Sequence, residues 1–158
     1  MKALLSILLC LLALGGCNKP LTVEQQVIHA IREMEAKIEA GERRAFLEHI
    51  AEGFTAQDGQ MNREQVRALV VFQLNRYERL QAQLFPINVT ETGAETAQAQ
   101  FRALITGGPR WIPDSGQVYD FKTEWRLENG DWLLSTANWD PVPLDEVLEN
   151  IPLPSNDP

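Results

Sequence analysis

Near residue 82 the apolar residues of this chain change their spacing, and that switch limits the folds open to it. Before it they recur every three to four positions, the period that places side chains along one helical face. After it they alternate, as in a strand with one buried face. A run of helices followed by a run of strands does not build a parallel sheet with helical crossovers. It predicts an α+β fold, with three N-terminal helices packed on a curved, mainly antiparallel sheet.

The helical half is well punctuated. Thr22 with Gln25 forms a capping-box start, and Val23, Val27, Ile31, Met34 and Ile38 share a stripe until Gly41 stops the helix. A second helix is expected near Glu42 to Ala51, carrying Phe46, Leu47 and Ile50. Gln57 to Gln60 reads as a turn, after which Asn62 and Gln65 open a third helix. Its stripe is Val66, Leu69, Val70, Leu74, Tyr77 and Leu80.

In the strand half, Phe85, Ile87 and Val89 alternate, Thr92-Gly93 turns, and Ala97 to Ile105 alternate again. A Gly/Pro-rich loop over 107–116 contains Trp111. Tyr119, Phe121, Thr123, Trp125 and Leu127 then line one strand face, with Asp120, Lys122, Glu124 and Arg126 on the other. Asn129-Gly130 is a hairpin signal, and Trp132 to Trp139 is the return strand. A proline-rich acidic tail covers 141–158, with an amphipathic piece at Leu144, Val147, Leu148 and Ile151.

Ahead of the domain, Lys2 precedes an apolar run from Ala3 to Leu14, too short to span a bilayer and suited to a signal peptide. The run ends in Leu14-Gly15-Gly16-Cys17, which resembles the lipobox of bacterial lipoproteins. That resemblance implies cleavage before Cys17, with lipid on its thiol and acylation of the new amine. The small pair Gly15-Gly16 lets a peptidase approach the backbone, and Cys17 supplies the thiol. Asn18 in place of Asp implies, by similarity to the sorting rule of enteric-type bacteria, an outer-membrane, periplasm-facing location. The expected divisions are a signal peptide over 1–16, lipidated Cys17 and tether over 17–21, the domain over 22–140 and the tail over 141–158.

Composition removes several functions. The formal charge of −8 over 158 residues leaves no cationic surplus for a nucleic-acid backbone. Both cysteines, Cys10 and Cys17, lie before the domain, so thiol catalysis and disulfides are not expected within it. Two histidines without metal-ligand spacing predict no metal, and no cofactor is expected.

The order of elements resembles the nuclear-transport-factor-2-like cone, shared with ketosteroid isomerase and scytalone dehydratase, over about residues 22–140. Its most specific part is the hairpin Thr123 to Leu134, with its aromatic strand, Asn129-Gly130 turn and Trp132. The stretch from Ala40-Gly41-Glu42 through Phe46 to Phe54 is similar to the family's second-helix signature. The resemblance implies a conical cavity between helices and sheet. It also implies a homodimer through the sheet face, where Asp120, Lys122, Glu124 and Arg126 lie. In the isomerase and dehydratase branches, a pocket carboxylate or His acts as base.

Two polar residues on the third helix's apolar stripe are the leading candidates for lining a site, namely Gln73 and Tyr77. A buried amide or phenol needs a partner, which a neighbour, a water or a ligand can supply. Tyr119 and Thr123 add polar atoms from the facing strand, and Trp111 is placed by its loop to cover the mouth or a subunit contact. No inward carboxylate is evident. The first expectation is therefore a non-catalytic, membrane-anchored module binding a small amphipathic molecule or a protein. The alternatives are an isomerase- or dehydratase-type enzyme using His49, Tyr77 or Asp140, and a structural envelope component with a filled cone. The lipobox reading predicts that Cys17→Ala abolishes metabolic labelling by a fatty-acid probe and leaves the precursor uncleaved. Continued labelling of that variant would refute it.

Overall fold

The computed structural model describes residues 20–77, 79–108, 115–143 and 146. Cys17, the segment before it, Trp111 and most of the amphipathic tail piece lie outside the described residues. Helix α1 runs Val23–Glu39 and starts with a reciprocal cap, Thr22 accepting from the Gln25 backbone and Gln25 from that of Thr22. Its Val27, Ala30, Ile31 and Met34 are buried. Helix α2 covers only Arg43–Glu48, short of the expected end at Ala51. From Ile50 the chain is strand β1, Ile50–Ala56.

That early stop has a tertiary cause. β1 pairs in parallel with the last strand, β7 (Asp131–Pro141), while the His49 carbonyl accepts from the Leu134 N–H at 2.8 Å. A register shift between Ile50 and Thr55 breaks the alternation that would have revealed a strand. Past the ladder, the Gln57 amide continues it by donating to the Trp139 carbonyl (2.9 Å) and accepting from its N–H (3.2 Å).

Strand β2 (Met61–Asn62) edges the sheet and leads into α3, Arg63–Arg76, again with a capping box, Asn62 and Gln65. Arg63 ties this corner together, its guanidinium donating to the carbonyls of Ile50 (3.2 Å) and Leu47 (2.9 Å). α3 ends one residue before Tyr77, whose backbone is extended, and Leu80 belongs to strand β3, Arg79–Leu84. The expected helical stripe therefore overruns the helix, with its last two members, Tyr77 and Leu80, beyond the end. The three-residue step from Tyr77 to Leu80 mimics a helical spacing, but six consecutive residue pairings between β3 and β5 (Thr96–Gly108) place Leu80 in the strand.

β5 carries two partners on one side. β3 pairs with its second half, and β4 (Asn88–Gly93) with its first. Between them Pro86 has no N–H to offer a ladder, so the expected single alternation through Phe85, Ile87 and Val89 is split. The hairpin turn falls at Ala94-Glu95 rather than at Thr92-Gly93. β6 (Ser115–Glu128) pairs with β5 along its length and with β7 through the Asn129-Gly130 turn, both residues having positive φ. The sheet order is β2-β1-β7-β6-β5-β3, with β4 also on β5.

The result is α+β, with seven strands where four long ones were expected and the helices on one face. The core lies under α1, where Val27, Phe54, Ala97, Ala99 and Trp125 are almost wholly enclosed. Trp132 donates to Gln26 across the helix–sheet boundary at 3.1 Å. On the outer face, Arg102 pairs with Asp120 (2.7 Å) and with Glu146 of the tail (2.8 Å). The Asp120 hydrogen bond, then that of Glu146, holds the guanidinium pKa above its ordinary value. No helix among the described residues is long and apolar enough to cross a membrane.

Candidate functional site

A cavity of about 470 Å³ opens between the helices and the inner face of the sheet. Its size lies within the roughly 300–1,000 Å³ range of small-molecule sites. The floor is an aromatic row across three strands. Phe101 stacks on Phe121 with centroids 5.2 Å apart, and Phe121 meets Trp139 at 6.4 Å and Tyr119 at 6.3 Å. Register explains the row, because Phe101, Phe121 and Trp139 are direct cross-strand partners. Ile31, Met34 and Ile38 of α1 and Val66, Leu69 and Val70 of α3 form the apolar walls.

Four of the expected residues come together here, since Gln73, Tyr77, Tyr119 and Thr123 all line the cavity. Their capacities differ. Thr123 is buried and its hydroxyl is already engaged, donating to the Ala99 carbonyl (3.0 Å) and accepting from the Trp125 indole N–H (2.9 Å). It binds β6 to β5 and orients Trp125. Gln73 is the opposite case. Its Oε1 is buried without a hydrogen-bond partner, which sets it apart among the described residues. A buried acceptor left empty costs about 1–3 kcal/mol.

Tyr77 owes its place to a glycine. A Cβ on Gly107 would lie 2.6 Å from Cγ of the Tyr77 ring and 2.7 and 2.9 Å from its Cδ atoms. Only a residue without a side chain lets the ring lie flat against β5 at that point. Arg76 sits over the same ring, 5.5 Å from its centroid. The ring is thus held from two sides where α3 gives way to β3.

Neither His49 nor Asp140 lines the cavity. His49 is the C-cap of α2, and Asp140 is exposed on β7, one position beyond inward-facing Trp139. Two charged lining residues were not anticipated, Glu35 and Arg76. Glu35 follows Met34 and lies one turn after Ile31, so it borders the apolar stripe of α1. Its side chain is 17% exposed and pairs at 2.8 Å with Arg32, which is 47% exposed. The signal was its place at the stripe's edge, which a charged residue more often uses to reach solvent. No group of three metal-ligating side chains exists among the described residues.

Comparisons with solved structures bear on the fold. The chain is similar to a candidate scytalone dehydratase from Novosphingobium aromaticivorans (TM-score 0.66, 6% identity), covering 76% of this chain and 84% of that one. It is similar to a candidate dehydratase of the NTF2-like family from Streptomyces avermitilis (TM-score 0.64, 19% identity), covering 75% and 94%. It also overlays Bd1075 of Bdellovibrio bacteriovorus (TM-score 0.64, 11% identity) over 75% of its own length but 40% of that chain. No protein-family model matches the sequence, and no curated protein matches it. These likenesses establish a cone of the NTF2-like and cystatin-like type, as the order of elements implied.

The Tyr77–Gly107 contact yields a direct prediction. Gly107→Ala should destabilise the domain by about 1–3 kcal/mol through overpacking and turn the Tyr77 ring out of its seat. Urea denaturation and the environment of the Tyr77 ring resonances check both parts. Unchanged stability with unchanged resonances would show that the ring is not held there.

Proposed function

We propose that this protein is a lipid-anchored, periplasm-facing module whose cone binds a small amphipathic molecule. The observation that carries the binding part is the unpartnered Gln73 acceptor beside a mainly apolar, aromatic-floored cavity. A core built only for stability leaves few such atoms unpaired. A ligand with an apolar body and one hydrogen-bond donor supplies the missing packing, and it supplies the missing bond once the Gln73 amide turns its enclosed Oε1 toward the cavity. The cavity also argues against a cone filled by its own aromatics. The anchoring part rests on the lipobox-like segment ending at Cys17 and on the brief tether to Thr22, which would keep the domain near the bilayer. Pairing of two copies through the outer sheet face belongs to the same proposal. Lys122, Glu124 and Arg126 are exposed there, while Val142 and Glu146 of the tail occupy the end near Val118 and Arg102.

Binding can be read with a solvatochromic naphthalene dye, displaced by candidate amphiphiles. Gln73→Leu should weaken donor-bearing ligands by roughly tenfold, the value of about one net hydrogen bond to a buried group. Tyr77→Phe should weaken them less, because the ring stays packed on Gly107. If both substitutions leave binding unchanged, the cavity assignment fails.

A second reading is favoured by Glu35, a carboxylate-bearing residue at a cavity that two tyrosines also line. That combination suits proton abstraction beside a carbonyl, with a phenol steadying the enolate oxygen. Hydrogen–deuterium exchange into an enolisable bicyclic ketone such as tetralone tests it. On this reading the protein accelerates exchange, and Glu35→Gln lowers the rate by about 10²–10⁴-fold. No acceleration by the unaltered protein would eliminate it.

A further inference from the structure

We infer that the cone's ligand is a cationic amphiphile, a protonated amine on an aromatic or alicyclic body. This rests on the binding reading above and names the chemistry of its ligand.

Two polar groups of the cavity, the Gln73 amide oxygen and the Glu35 carboxylate, favour a donor over an anion. The one buried side-chain atom left unpartnered among the described residues is an acceptor, Oε1 of Gln73. A ligand carboxylate, which only accepts, cannot satisfy it and would set two acceptors against each other. An ammonium or a hydroxyl can. Between those two, the remaining features favour charge. Glu35 puts a carboxylate in the same lining, and its partner Arg32 is a half-exposed side chain held by a surface-type ion pair. Such pairs contribute little, so the carboxylate keeps lone pairs for a second donor.

The aromatic floor adds to this. Phe101, Phe121, Tyr119 and Trp139 present ring faces or edges to the cavity, and ring faces attract cations. The formal charge of −8 draws cations toward the protein as a whole. Arg76 is the countervailing charge. It is exposed, it lies over the Tyr77 ring, and it stands on the last turn of α3, where it offsets the negative end of the helix dipole. Its charge is therefore engaged at the rim rather than offered to the interior.

Three probes with one apolar body and different heads test the inference: naphthylmethylamine, naphthylmethanol and naphthoate. Each is titrated by calorimetry against the full chain in phosphatidylcholine nanodiscs, with empty nanodiscs as the blank. The amine should bind about tenfold more tightly than the alcohol, as a charge-assisted bond replaces a neutral one, and the acid should bind weakest. Glu35→Gln should bring amine and alcohol to similar affinity, while Gln73→Leu should weaken both by a similar factor. Arg32→Gln, which frees the carboxylate without touching the cavity, should strengthen the amine alone. Equal affinities for amine and alcohol, or an acid that binds as well as the amine, would overturn the inference while leaving a binding cone intact. Failure of all three probes would remove the binding reading and this inference with it.

Discussion

Four of the six inner-face residues of β5 are small, and the rest of the domain is arranged around that fact. Ala97 and Ala99 are fully enclosed and let α1 approach the sheet closely, while Ala103 is enclosed further along. Gly107, at the far end, lets the Tyr77 ring rest on the strand. Larger residues here would hold the helices away from the core near Ala97 and would fill the cone near Ala103. Phe101 and Ile105 stand between the small positions and supply the bulk of the floor. One strand therefore sets where the protein is solid and where it is hollow.

Polar accounting divides the molecule in the same way. At the solid end, the Thr123 hydroxyl, the Trp125 indole and the Ala99 carbonyl satisfy one another, and Trp132 finds Gln26. Gln57 serves as a substitute strand residue for Trp139. These buried donors and acceptors are matched because an unmatched one would cost a large part of a marginal stability. At the hollow end the rule is relaxed at Gln73. That departure is the physical basis of the proposal that the cavity is a site.

Much of this was legible beforehand because local rules and tertiary packing agreed. Thr22 and Asn62 begin helices in the sequence and in the structure, each with a glutamine three positions on, because capping is decided within a few residues. The Asn129-Gly130 hairpin and the alternation of Tyr119 to Leu127 behave likewise, since strand period and turn chemistry are local. Gln73 could be picked out because a polar residue on an apolar stripe is visible in one dimension. Glu35 could not, because whether a residue at the edge of a stripe faces solvent or a void depends on how far the next layer lies from it.

The sequence by itself determined the class, the order of elements, the caps and turns, and the faces that alternation turns inward, for these follow from periods and short-range hydrogen bonding. Only the tertiary structure decided that Ile50 leaves its helix for a parallel ladder with β7, and that Leu80 joins a strand rather than extending a helix. It also decided that the space above Phe121 is left open. Each of these depends on partners at least twenty residues away, whose competing hydrogen bonds and van der Waals contacts no local pattern encodes.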